Sequence, residues 1–316
     1  MIRILSIVIC FILYGSLYPW QYRPGPSNIS PLLSLLHSWP ARIGPELFGD
    51  IAVNVMIYIP VGMFGFFAFD RHRHRWLRWI MPGVLALALS ASVEMMQIYD
   101  RTRDCSLLDL FDNVLGSMLG TGLGFLFRRT LNDGVFLVLQ WMAFQVSALL
   151  GIVSGRRPPP RLLTSPLELI TVIAAWGLVL HLLSSESLRR SKLAIVRACG
   201  FIGLLIVRGL SPFHFQVHPT PFNWIPLLAI LSTEWIVGLP IFLEKAFYYG
   251  GAIWLIHSAG LKLRDATILV AAILAVLETI QRYLPGRTPE ITDPILALVL
   301  GLILGLIEQD TLQVQT

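Results

Sequence analysis

Residues 51–69 read IAVNVMIYIPVGMFGFFAF, nineteen residues without one charged side chain. As an α-helix such a run rises about 28 Å, close to the roughly 30 Å hydrocarbon core of a bilayer. It is too long for a single strand, and the weak ten-residue alternation of a membrane β-barrel is absent. Working outward, comparable apolar runs occur at 4–20, 79–99, 107–127, 135–154, 166–184, 195–211, 240–259, 266–283 and 291–307. Of the 316 residues 55% are hydrophobic and only 14% charged, against roughly 25% charged in a soluble domain. The expected fold is therefore all-α: a polytopic membrane helix bundle of about ten transmembrane helices, with almost no soluble domain.

The net charge of +5 does not point to nucleic acid, because the basic residues sit in short clusters between apolar runs. Arg71, Arg73, Arg75 and Arg78 form one cluster, Arg128 and Arg129 a second, Arg189, Arg190 and Lys192 a third, and Lys262 and Arg264 a fourth. With ten spans all four clusters share one face with both termini, and the positive-inside rule makes that face cytoplasmic. The loop Gly155-Arg156-Arg157-Pro158-Pro159-Pro160-Arg161 runs against the rule, since it falls outside. Met1–Tyr18 has an apolar stretch with no small-residue cleavage site after it, so it reads as an uncleaved first span and not as a signal peptide.

Two outer connections, 21–50 and 212–239, carry apolar pieces too short to span, Pro31–Leu36 and Pro226–Leu231. They are expected to lie along the outer interface, where Tyr18, Trp20, Tyr22, Trp39, Phe213, Phe215 and Trp224 belong. Cys10, Cys105 and Cys199 show no metal or redox spacing, and the triplet Asn28-Ile29-Ser30 is a glycosylation acceptor of the kind that arises by chance. His72 and His74 read as solvated loop residues. His214 and His218 have a spacing that permits a metal but no carboxylate between them, so neither metal nor cofactor is expected.

The chain also resembles itself. Ser16-Leu17-Tyr18-Pro19-Trp20-Gln21-Tyr22 aligns with Gly209-Leu210-Ser211-Pro212-Phe213-His214-Phe215 at a shift of 193, and Asn28-x-x-Pro31-Leu32-Leu33 with Asn223-x-x-Pro226-Leu227-Leu228 at 195. Glu94, Gln97, Tyr99, Arg103 and Asp109 recur as Glu278, Gln281, Tyr283, Arg287 and Asp293 at a constant shift of 184. Apolar helices resemble one another trivially; polar positions in fixed register do not. The expected organisation is a four-span repeat over 1–133, two linking spans over 134–194, and a second, degenerate four-span repeat over 195–316. Because the linking spans are even in number, the copies would run parallel, related by a pseudo-twofold axis along the membrane normal.

Asn54 followed by Tyr58-Ile59-Pro60-Val61-Gly62, then Glu94-x-x-Gln97, then Asp109-x-x-Asp112-Asn113-x-x-Gly116 resembles the VanZ-like family of bacterial membrane proteins. The resemblance is good over 50–127 and weaker over 210–307. It implies the plasma membrane of a bacterial cell envelope and an association with resistance to the glycopeptide teicoplanin, but supplies no defined activity. The second copy departs from the pattern: Leu296 and Ala297 stand where Asp112 and Asn113 stand in the first.

Ionisable groups inside a span cost about 2.5–3.5 kcal/mol on insertion scales, so they face the bundle interior and mark candidate sites. Asn54, Glu94, Gln97, Asp109, Asp112 and Asn113 all fall within about two turns of the outer ends of their helices. Glu94 and Gln97 share one face, as do Asp109, Asp112 and Asn113. Gly116, Gly120 and Gly124 continue that second face as a small-x-x-x-small stripe, which marks it as packed against a neighbouring helix. Two accounts stay open. In one, these residues converge on an outward-open ligand pocket with Arg103 at its rim for an anionic head group, and Glu278, Gln281, Arg287 and Asp293 form a lesser counterpart. In the other, Asp109 and Asp112 cap a helix start and Glu94 forms a structural tie to Arg101 or Arg103.

No nucleophile elbow, zinc-protease motif or phosphate-binding loop is present. Three function classes remain. The favoured one binds or handles a lipid-linked glycan precursor or other amphipathic molecule at the outer leaflet, with membrane lipids as constant partners. The others are an intramembrane enzyme acting on a lipid head group, with Glu94, Asp109 and Asp112 as acid and base, and a structural partner in an envelope complex.

Overall fold

A computed structural model of the chain describes residues 1–24, 30–40, 44, 47–70, 75–156, 166–183 and 193–315, with side chains through Thr311. Asn28, the cluster residues Arg71 and Arg73 with His72 and His74, residues 157–165 of the outer basic loop, and Arg189, Arg190 and Lys192 lie outside the described residues. Twelve helices and no strand are found among those described. They are α1 (Ile2–Ser16), α2 (Pro31–Leu36), α3 (Leu47–Asp70), α4 (Leu77–Gln97), α5 (Leu107–Leu126), α6 (Asp133–Val153), α7 (Pro166–Leu182), α8 (Ala194–Leu210), α9 (Leu228–Leu231), α10 (Trp235–Ser258), α11 (Leu263–Gln281) and α12 (Thr292–Gln315).

Each apolar run of the sequence is a helix, and the two short helices α2 and α9 occupy the two long connections. By length and composition, five helices suffice to cross a membrane: α3, α4, α6, α10 and α12 over Thr292–Thr311. Helices α1 and α7 are apolar but shorter, at 15 and 17 residues. The chain is a multi-pass membrane protein. Exposed apolar positions follow the helical period: Phe111, Leu115, Met118 and Leu119 on α5 are exposed side chains, falling on one face of the helix.

The chain divides into two compact units, Met1–Thr130 and Leu131–Thr316. In the first, α3 and α5 meet backbone to backbone. A methyl group built on Gly62 would strike the Ser117 carbonyl, on Gly116 the Val55 carbonyl, and on Gly120 the Ile59 carbonyl. Nothing larger than hydrogen fits at these three positions, and dispersion between closely approached backbones is what joins helices in lipid. Helix α4 closes the trio. Its Pro82 abuts Gly65 of α3, and the carbonyl of Pro82 accepts the Ser117 hydroxyl of α5 at 3.0 Å.

In the second unit α10 is the central element, with 67% of its span buried inside the protein. Trp141 of α6 packs on Phe247 with ring centroids 4.7 Å apart. Gly250 and Gly251 of α10 make room for Leu137 of α6 and Leu178 of α7. Helices α6 and α7, read from sequence as linking spans, thus pack within this unit against α10.

Candidate functional site

The end of the first unit where α1 and α4 finish and α5 begins is built from helix ends that need partners. The last carbonyls of a helix have none of their own. The carbonyl of Ser16, closing α1, accepts Gln97 Nε2 of α4 at 2.9 Å, and the carbonyl of Tyr18 accepts Arg103 Nε at 3.2 Å. One Glu94 oxygen accepts the Ser106 backbone N–H at 2.8 Å. Ser106 is the N-cap of α5; its hydroxyl accepts the Asp109 N–H at 3.3 Å. The side chains of Ser106 and Asn54 are hydrogen-bond partners of the Asp109 carboxyl; Ser106 caps α5, while its own N–H, which a capping box would give to Asp109, goes to Glu94. Glu94 therefore finds its partner in the backbone of Ser106 and forms no ion pair with Arg103.

The loop between α4 and α5 is tied down as well. Asp100, only 1% exposed, accepts both the Thr102 N–H and its hydroxyl at 2.8 Å. Burial pushes the Asp100 carboxyl up, but the Thr102 donors and the Arg103 charge outweigh it and hold it below the usual carboxylate range. Cys105 goes the other way. Burial, with Glu94 and Asp109 nearby, pushes its thiol up to about 11 despite a contact with the Ser38 hydroxyl.

One turn further in, the character changes. Asn113 Nδ2 donates to Ser90 Oγ of α4 at 2.9 Å, and the Tyr58 hydroxyl of α3 lies beside Ser90 and Glu94. Asn113 is 5% exposed, Asp112 6% and Tyr58 2%. The Tyr58 hydroxyl has Ser90 as its hydrogen-bond partner. Yet the Asn113 amide oxygen and one Asp112 carboxyl oxygen are buried without one. Buried polar atoms nearly always find a partner, and two orphans on adjacent residues of one helix are a departure. No residue pattern announced Tyr58 or Ser90 as site residues. Ser90 could have been found from its position four residues before Glu94, on the same face of α4.

The second unit repeats the outer ties and replaces the inner cluster. Gln281 Nε2 donates to the Gly209 carbonyl at 3.1 Å. Arg287 donates to the Ser211 carbonyl, at 3.2 Å from Nε and 2.7 Å from Nη2, and to that of Arg208 at 2.9 Å. The Glu290 N–H donates to Glu278 at 2.9 Å. Inside, however, Lys245 Nζ of α10 donates to Asp293 Oδ1 at 2.6 Å. The Tyr249 hydroxyl donates to the other Asp293 oxygen, and Glu278 and Asp293 share a hydrogen bond. Arg208 of α8 pairs with Glu244 at 2.6 Å and lies over the Tyr248 ring at 5.0 Å. Lys245, Tyr249, Arg208 and Glu244 were not singled out from sequence, although an ionisable pair within the apolar run 240–259 is itself such a signal.

Within the first unit, then, Asn54, Glu94, Gln97, Arg103, Asp109, Asp112 and Asn113 share the end where α4 finishes and α5 begins. Gln97 and Arg103 are engaged with α1 and the segment after it, and Glu94 and Asp109 with the start of α5. Asp112 and Asn113 keep free acceptors. Among the described residues, no group of three or more His, Cys, Asp or Glu side chains is arranged to hold a metal ion. Neither a curated protein nor a solved structure is significantly similar to the chain. Residues 1–128 match the family model described as VanZ-LLP1: VanZ/LLP1; that stretch reaches beyond the motif-bearing residues to include α1, so the first unit is a VanZ-like domain.

Proposed function

We propose that the protein binds a lipid-linked or amphipathic molecule of the bacterial cell envelope at the outer leaflet, through the inner polar cluster of its VanZ-like domain. The observation that carries this reading is the pair of unpaired buried oxygens on Asp112 and Asn113. Leaving a buried donor or acceptor unsatisfied costs about 1–3 kcal/mol per group, a cost that selection for stability alone would remove. An occupant that completes these bonds accounts for their retention. The family context links such a protein to glycopeptide resistance.

The same reading divides the seven candidate residues by role. Gln97, Arg103, Glu94 and Asp109 bind backbone groups and helix starts, and equivalent ties recur in the second unit; their work is structural. Asp112 and Asn113 have no counterpart there, since Leu296 and Ala297 take their places in register. The matched ties, together with left-handed backbone at both Trp20 (φ 59°) and Phe213 (φ 63°), support a degenerate second copy of the domain within Leu131–Thr316. The ten helices that match the apolar runs are read as ten spans, with both termini cytoplasmic on the distribution of Lys and Arg.

The test compares Asp112→Asn and Asn113→Ala with Arg103→Ala, scoring thermal stability in detergent and growth on envelope-targeting antibiotics. On this reading the inner variants lose the antibiotic phenotype at unchanged stability, whereas Arg103→Ala loses stability. Inner variants that retain the phenotype sink it.

A further inference from the structure

We infer that the occupant of the inner cluster presents a primary ammonium group to Asp112 and Asn113; this rests on the binding role proposed above and names the chemistry of the ligand. The two unpaired atoms set the polarity. The Asn113 amide oxygen accepts only, and an ionised Asp112 oxygen accepts only. A ligand completing both is a donor to each. An ammonium carries three N–H donors and no acceptor. A phosphate or carboxylate, rich in acceptors, would meet two oxygens that repel it.

Charge agrees with this. Glu94, Asp109 and Asp112 lie close enough to influence one another, and among the described residues no Lys or Arg forms an ion pair with any of the three. Arg103 is the nearest guanidinium to act on Glu94, and its Nε donates to the Tyr18 carbonyl.

The second unit supplies an internal precedent. Asp293, in register with Asp109, receives the Lys245 ammonium at 2.6 Å and the Tyr249 hydroxyl beside it. The partners in the first unit are Asn54 for Asp109 and Tyr58 facing Glu94. A single shift of 191 places Asn54 on Lys245 and Tyr58 on Tyr249. Where the second unit sets an ammonium on Asp293, the first sets the neutral amide of Asn54 on Asp109 and adds open acceptors one turn on, at Asp112 and Asn113. The second unit shows that this helix junction takes an ammonium beside a carboxylate; the first carries none of its own there.

The experiment uses the full-length protein in phosphatidylcholine nanodiscs, followed by thermal shift and intrinsic tryptophan fluorescence. The probes are dodecylamine, dodecyltrimethylammonium and dodecyl phosphate, with phosphatidylethanolamine or phosphatidylglycerol added as competing lipid. Dodecylamine is expected to stabilise the protein; the trimethyl compound, which has the charge but no N–H, and the phosphate are not. Asp112→Asn is expected to weaken the amine response by about tenfold or more, equivalent to 1.4 kcal/mol. Asn54→Lys should weaken it while melting no lower than the parent, because the new ammonium sits on Asp109, as Lys245 sits on Asp293, and Asp109 acts on Asp112. Competition by phosphatidylethanolamine assigns the ammonium to a lipid headgroup, and its absence to a free amphiphile; both uphold the inference. An equal response to dodecyltrimethylammonium or dodecyl phosphate, or an unchanged amine response in Asn54→Lys, overturns it. If Asp112→Asn and Asn113→Ala still abolish the antibiotic phenotype in that case, the binding role stands without the ammonium. If they do not, the binding role falls whatever the amine does.

Discussion

The α3–α5 contact of the first unit and the α10–α12 contact of the second answer one question in two ways: how to bury an acid between membrane helices. The first brings backbones together over Gly62, Gly116 and Gly120 and surrounds its carboxyls with hydroxyls and amides. The second has Leu300 and Leu304 in the register of Gly116 and Gly120, both buried, and neutralises Asp293 with Lys245. Close packing and charge pairing are alternatives here. A glycine seam leaves no room for a long basic side chain, whereas in the second unit Lys245 of α10 reaches Asp293 of α12. The second solution is self-contained; the first leaves acceptors over.

The largest expected effect tests the seam itself. Gly120→Leu drives a side chain into the Ile59 carbonyl and Met63 N–H, backbone atoms that cannot step aside. It should cost about 3 kcal/mol, the upper end for overpacking, read as a lowered melting temperature in detergent. Gly122→Leu, two residues on with nothing within 4 Å, should be neutral or slightly stabilising. Equal losses at both positions would break the assignment of the glycine face.

Next is the charge pair. Lys245→Met leaves Asp293, whose side chain is 8% exposed, with only Tyr249 and Glu278. Removing one partner of a fully buried pair costs about 3–5 kcal/mol; because the Lys245 side chain is 29% exposed, about 2 kcal/mol is expected. Lys245→Met combined with Asp293→Leu should recover most of it, as an apolar replacement of both partners does. A double variant as unstable as the single one would show that Asp293 serves more than Lys245.

Arg103→Ala removes a charged donor from the Tyr18 carbonyl and should cost about 1.5 kcal/mol, with Arg287→Ala, which gives up three such bonds, costing more. Reversal of that order would undo the equivalence of the outer ties. The smallest effect is chemical. With its thiol pushed up to about 11, Cys105 is protonated at neutral pH, and only the thiolate reacts. Its alkylation rate should therefore rise about tenfold per pH unit through pH 9 without levelling off; a plateau near pH 8 would show an ordinary thiol.

Much of this was legible in the residues. Apolar runs of span length gave the helices because backbone satisfaction in lipid leaves few other choices, and the small-x-x-x-small period found the face of α5 that meets α3. Glu94, Gln97 and Arg103 stood out because polar residues keep register where apolar ones drift. Their partners did not, because those of Gln97 and Arg103 are backbone carbonyls and that of Glu94 a backbone N–H, groups every residue possesses. Lys245 was hidden differently. It sits beside Glu244 in the chain, while its partner lies 48 positions later. Tyr58 and Ser90 look unremarkable until the packing sets Ser90 between the Tyr58 hydroxyl and the Asn113 amide.

The ties from Gln97 to Ser16 and from Arg103 to Tyr18 have a consequence for biogenesis. They join residues 81 and 85 positions apart, and a further backbone bond runs from the Arg23 N–H to the Tyr99 carbonyl. While the chain is emerging from the ribosome, the end of α1 is made long before the groups that complete it. Until the hairpin of α4 and α5 has been inserted, those carbonyls depend on water or headgroups at the membrane surface. The first helix can enter the bilayer early, but its outer end is fastened last, by residues synthesised three helices later.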